Sequence, residues 1–114
     1  MSPTPMPSPD AQGKVRLDAL ADDLADLGVA FERSQMFGSP GLRLPGKGKF
    51  FASLMDEGMI FKLDGERHAE ALALPGAHLF EPMAGRPMKQ WVVVPFDQET
   101  HWVRLGAAAA QSLG

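Results

Sequence analysis

Between Met36 and Leu63 the chain reads MFGSPGLRLPGKGKFFASLMDEGMIFKL, and its apolar residues recur at every second position around two glycine-containing turns. Leu42 and Leu44 flank Arg43, Phe50, Ala52 and Leu54 alternate with Phe51 and Ser53, and Met59, Phe61 and Leu63 alternate with Ile60 and Lys62. A period of two is the repeat of an extended strand, whose successive side chains point to opposite faces. Pro45-Gly46-Lys47-Gly48 and Asp56-Glu57-Gly58 interrupt the runs with turn residues, so the segment predicts a three-stranded antiparallel meander. The second and third of these strands are apolar on both faces. A strand solvated on one side alternates cleanly, so helices or a partner are expected to cover part of each face.

The flanking segments change period. Leu17, Leu20, Leu24 and Leu27 follow steps of three and four with Asp18, Asp22, Asp23 and Asp26 between them, which predicts an amphipathic helix from about Gln12. Gly28 is placed to end it, leaving Phe31 to the connection that follows. Asp64 is a candidate N-cap for a short helix over 67–74, with Ala69, Leu72 and Ala73 on its covering side and Pro75-Gly76 as its stop. Ala77 to Glu81 and Met88 to Val94 predict two more strands, separated by Pro82, Ala84, Gly85 and Pro87. A last helix is expected from near Asp97, with Trp102, Leu105, Ala109 and Leu113 on its apolar face. The predicted fold is α+β: a five-stranded antiparallel sheet with flanking helices, in the order α-β-β-β-α-β-β-α. It occupies one domain over residues 12–114. Residues 1–11, with Pro3, Pro5, Pro7 and Pro9, are expected to form a flexible tail.

Composition narrows the function classes. With 114 residues, 45% of them hydrophobic, the chain suits one globular domain with a modest core. The absence of cysteine removes disulfides, thiolate metal sites and thiol nucleophiles, and suits a reducing, cytoplasmic setting. No segment approaches 18 apolar residues and the first ten lack a secretory signal, so no membrane association is expected. A formal charge of -3 argues against a dedicated nucleic-acid binder, whose affinity comes from neutralising phosphates.

Several of these residues also carry a resemblance. Met36-Phe37-Gly38, Gly41-Leu42, the apolar run from Lys49 to Leu54, Phe61-Lys62-Leu63, and Gly85-Arg86-Pro87-Met88 ahead of Trp91 to Pro95 resemble the N-terminal domain of the bacterial TfoX/Sxy family, over about residues 15–113. The resemblance implies an α+β fold shared with YjbR-like proteins and type III secretion chaperones. It also implies a regulatory, transcription-linked role without established catalytic residues, here as a stand-alone module lacking the C-terminal helical domain of full-length members. The corresponding expectation is a non-enzymatic interaction module without cofactor or metal. Its partner would be another protein or a second copy of itself, as a homodimer.

Individual residues give few sharp site candidates. His68, His78 and His101 fall on separate predicted elements with no HxxxH, HxH or HExxH spacing, as packed or surface histidines would. No GxSxG occurs, and the glycines of Gly38-Ser39-Pro40-Gly41 and Gly46-Lys47-Gly48-Lys49 precede predicted strands rather than helices, which fits turns better than phosphate cradles. Arg43, Lys47, Lys49, Arg86 and Lys89 would form a basic patch if the sheet gathered them, an alternative nucleic-acid-binding surface. Protection of strand edges by basic side chains explains the same residues. Met36, Met55, Met59, Met83 and Met88, in or beside the predicted strands, suit either an adaptable surface or the filling of core gaps.

Overall fold

The computed structural model describes residues 9–36, 39–46, 49–83 and 85–113. Elements follow in the order α1 (Pro9–Asp26), β1 (Glu32–Met36), β2 (Ser39–Arg43), β3 (Phe50–Met55), β4 (Gly58–Lys62), α2 (Gly65–Leu72), β5 (His78–Met83) and β6 (Arg86–Pro95). A 3-10 segment (Phe96–His101) then runs into α3 (Trp102–Leu113). One antiparallel sheet holds six strands in the order β1-β2-β3-β4-β6-β5. The α+β class is as expected, but the count of five strands is corrected to six.

The additional strand is β1, whose sequence ERSQM offers no apolar alternation. Among the described residues it lies at the sheet edge and pairs with β2 alone, Ser34 opposite Gly41 and Glu32 opposite Arg43. Ion pairs hold it in place of buried side chains: Arg33 to Asp18 of α1 at 2.8 Å, and Glu32 to Arg43 at 3.4 Å. An edge strand of charged residues needs no core-facing repeat and resists pairing with other chains.

α1 begins at Pro9, three residues ahead of the expected start, and proline is well tolerated in a first helical turn because its missing N–H has no intrahelical partner there. Leu17, Leu20 and Leu24 are buried, whereas Leu27 is 62% exposed. The C-terminus accounts for Leu27. Gly28 takes φ +82 and donates to the Ala25 carbonyl, and Val29 donates to the Leu24 carbonyl at 3.0 Å. This Schellman arrangement turns the chain before Leu27 reaches the core and packs Val29 against the cluster containing Leu24 instead.

All three α-helices lie on one face of the sheet. Their buried residues, Leu17, Leu20, Leu24, Ala71, Trp102, Leu105 and Ala109, form one cluster with Leu42, Ala52, Leu54, Met59, Phe61, Val92 and Val94. Phe51 joins them because the β2–β3 register shifts after Leu42, placing one extra residue on β3. α3 packs on α1 and the sheet at Gly106, where a Cβ would meet Leu24 at 3.4 Å and Phe61 at 3.5 Å, ordinary contact distances. In α2 Ala71 is buried and Leu72 packs against the core as expected, while Ala69 and Ala73, also expected on the covering side, are exposed. Asp64 precedes α2 as expected but makes no capping bond to its backbone; its carboxylate accepts from the Ser112 hydroxyl of α3 at 3.0 Å. α3 starts at Trp102, after a 3-10 segment that occupies the expected start near Asp97, and Trp102, on the apolar face as expected, donates its indole N–H to the Val94 carbonyl at 3.2 Å. Among the described residues no helix is long and apolar enough to cross a membrane.

Candidate functional site

The opposite face of the sheet carries the expected second set of apolar residues, but among the described residues no helix lies over them. Ile60, Trp91 and Val93 are buried there, with Phe50, Met55, Phe80 and Met88 half-buried around them, and every member comes from a strand. Alternation along β3, β4 and β6 forces this arrangement: Met59 and Phe61 point to the helices, so Ile60 between them points away. Ser53 sits on the same face, fully buried, and donates its hydroxyl to the Pro40 carbonyl of β2 at 3.1 Å.

At one end of this face a cleft of about 380 Å³ opens between the β3–β4 turn and β5, lined by Met55, Asp56, Glu57, His78, Phe80, Glu81 and Val93. Its apolar residues are contiguous with the second cluster, and its rim is mostly carboxylate. The turn is held next to β5 through β6, since Gly58 lies opposite Pro95 and His78 opposite Val93. His78 bridges the two sides: its Nε2 lies 2.6 Å from Glu57 Oε2 and its Nδ1 3.0 Å from the Leu79 carbonyl oxygen. Both partners only accept, so both contacts are satisfied together by the imidazolium. The Leu79 carbonyl and then the Glu57 carboxylate accordingly raise the His78 pKa above its ordinary value of 6.5, the charges of Glu57 and Glu81 adding to the effect against slight desolvation.

The other histidines stay apart, as the sequence predicts. His68 on α2 contacts the Lys89 carbonyl oxygen through Nε2 at 2.6 Å, and His101 Nδ1 accepts from Arg104 at 2.9 Å. Among the described residues no three histidine or carboxylate side chains are grouped to hold a metal ion.

Four of the five sequence-predicted basic residues are described, and they are distributed over β2, the approach to β3, and β6. Arg43 is turned toward Glu32, and its Nε is shielded from solvent without a hydrogen bond. Lys49 lies immediately before β3 and Lys89 on β6, with β4 between those two strands. Lys62 of β4 pairs with Trp91, so residues 86–89 run past the β4 ladder for about 13 Å at roughly 3.3 Å per residue, carrying Arg86 outward. Lys47, like Phe37 and Gly38 of the Met-Phe-Gly segment, lies outside the described residues. Of the methionines, Met59 fills the main core, while Met55 and Met88 border the second face. The acidic cleft was absent from the sequence expectations: Asp56 and Glu57 read as turn residues, and His78 stands 21 residues from its carboxylate partner.

No family model, curated protein or solved structure matches this chain.

Proposed function

We propose that this protein is a non-catalytic interaction or regulatory module of TfoX N-terminal-like type, and that the helix-free face of its sheet is its working surface. The observation carrying this reading is the asymmetry of the sheet: three helices pack on one face, while the other presents Phe50, Met55, Phe80 and Met88 half-buried around an apolar centre. Partly exposed apolar side chains around a packed centre suit association with another protein or with a second copy. The segments carrying the family resemblance support the type. Gly41-Leu42 lies in β2, Phe50 to Leu54 in β3, and Trp91 to Pro95 in β6, and β3 and β6 supply most of the apolar residues of this face. The secretion-chaperone-like or YjbR-like architecture, the cytoplasmic setting and the link to transcription belong to the same proposal.

Site-specific photocrosslinking in the native cell tests it. A photoreactive side chain at Met55 or Met88 is expected to give discrete adducts that are absent when it is placed at Asp22, on the exposed side of α1. Adducts from Asp22 alone, or from none of the three positions, would defeat the proposal.

A further inference from the structure

Over much of this molecule arginine stands against carboxylate. Arg33 meets Asp18, Arg43 meets Glu32, Arg16 meets Glu99, and both Arg67 and Arg104 meet Glu70. The cleft differs. Asp56, Glu57 and Glu81 line it together, and among the described residues no lysine or arginine pairs with any of them; His78 on Glu57 is the one cationic neighbour. Below these carboxylates lie Met55, Phe80 and Val93, so apolar floor and negative rim occur within one cleft of about 380 Å³. A ligand complementary to both must join an alkyl or other apolar stem to a cationic head. Arginine has that form, burying its methylenes while the weakly hydrated guanidinium forks onto carboxylates.

The cleft also opens beside β5, the outermost strand of the sheet, where an approaching peptide main chain would lie. We infer that the cleft docks an arginine side chain presented by a partner polypeptide, its stem on Met55, Phe80 and Val93 and its guanidinium against Asp56, Glu57 and Glu81. The inference rests on the open-face proposal for the polypeptide nature of the occupant. The charge complementarity is independent of it. Glu81 also accepts the Gly85 backbone N–H at 2.6 Å, which shapes the β5–β6 turn, so Asp56 and Glu57, both exposed, are the carboxylates to test.

The probe is the capped tripeptide acetyl-Leu-Arg-Leu-amide, titrated into the intact chain while the methyl resonances of Met55 and Val93 are followed by NMR, with Leu17 in the helix-covered core as the reference. Saturable shifts at Met55 and Val93, weakened by added salt, are expected. Asp56→Asn and Glu57→Gln should each weaken binding about two- to fivefold, the range for exposed ion pairs. Raising the pH through the titration of His78 should tighten binding, because Glu57 is then released from its cationic neighbour while Asp56 and Glu81 stay charged. Equal binding of acetyl-Leu-Gln-Leu-amide, or no loss in the double carboxylate variant, would overturn the arginine assignment. Binding of free agmatine without binding of the tripeptide would overturn the polypeptide occupant. If the tripeptide leaves the cleft methyls unmoved while Met55 and Met88 still crosslink in cells, the arginine inference fails and the open-face proposal survives. Saturable tripeptide shifts with no crosslinks from the open face reverse that outcome.

Discussion

Gly58 stands directly opposite Pro95 in the β4–β6 ladder, so close that a Cβ there would overlap the Val94 carbonyl oxygen and come 2.8 Å from the Pro95 Cα. With φ at +154, its backbone also occupies a region that side-chain-bearing residues rarely enter. This contact fixes how the β3–β4 turn, with Asp56 and Glu57, is held above the start of β5. Gly58→Ala should therefore cost about 3 kcal/mol or more in urea denaturation, since the obstruction is backbone and must itself move. Gly28→Ala, also at positive φ but facing open space, should cost only about 1 kcal/mol. Equal losses in the two variants would contradict the close-approach argument.

Ser53 gives a second test, on the open face. Its hydroxyl is fully buried between β2 and β3 and serves the carbonyl of Pro40. Ser53→Ala removes the donor and leaves that carbonyl short of a partner, which should cost about 1 kcal/mol. Ser53→Val adds volume beside Gly41, its partner in the ladder, and should cost more. Chemical denaturation of both variants checks the order.

Trp102 joins the helical layer to the sheet. It is 1% exposed, donates to the Val94 carbonyl and lies against Phe96 with ring centroids 5.6 Å apart. Trp102→Ala should cost about 3–5 kcal/mol, and Trp102→Phe, which keeps much of the volume but loses the donor, clearly less. Thermal unfolding followed by far-UV circular dichroism separates them.

Much of this fold was legible because burial imposes a period. The strands around Phe50 to Leu54, Met59 to Leu63 and Trp91 to Val94 have neighbours on both faces, and their apolar patterns follow. Glu32–Met36 stayed hidden because charged pairs to Asp18 and Arg43 hold it instead. On α2 the pattern places Leu72 correctly but not the alanines, because three identical small side chains at 69, 71 and 73 carry little information about which one faces inward. The cleft was illegible for another reason. Asp56, Glu57, His78 and Glu81 lie on two segments that only the ladder through β6 brings side by side, and no local spacing encodes that register.

The same geometry bears on nucleic acid binding. Phosphate binding needs several unpaired cations acting together, but Arg43 is engaged by Glu32 and the overhang of β6 carries Arg86 away from Lys49. Mobility-shift experiments with mixed-sequence DNA at low and moderate salt should therefore show no salt-steep complex. A shift at low salt that disappears in an Arg86→Gln, Lys89→Gln double variant would instead assign binding to the β5–β6 hairpin.

His78 makes stability depend on pH with a definite sign. Its ring contacts the Leu79 carbonyl and the Glu57 carboxylate, both acceptors, and the folded protein holds its pKa above the ordinary 6.5. A group whose pKa is raised by folding stabilises the native state fully below its unfolded pKa, and that contribution is lost as pH rises through the folded value. Wild type should therefore lose stability relative to His78→Gln between about pH 6 and the raised pKa, beyond which the difference becomes constant. The effect should be on the order of a few tenths of a kcal/mol, because the His78 and Glu57 side chains are 51% and 65% exposed and water screens the pair. Urea denaturation of both proteins across this pH range measures the difference, and NMR titration of the His78 ring fixes its midpoint independently. A midpoint at or below 6.5, or a gain in relative wild-type stability as the pH rises, would show that the bridge from β5 to the β3–β4 turn does not form in solution.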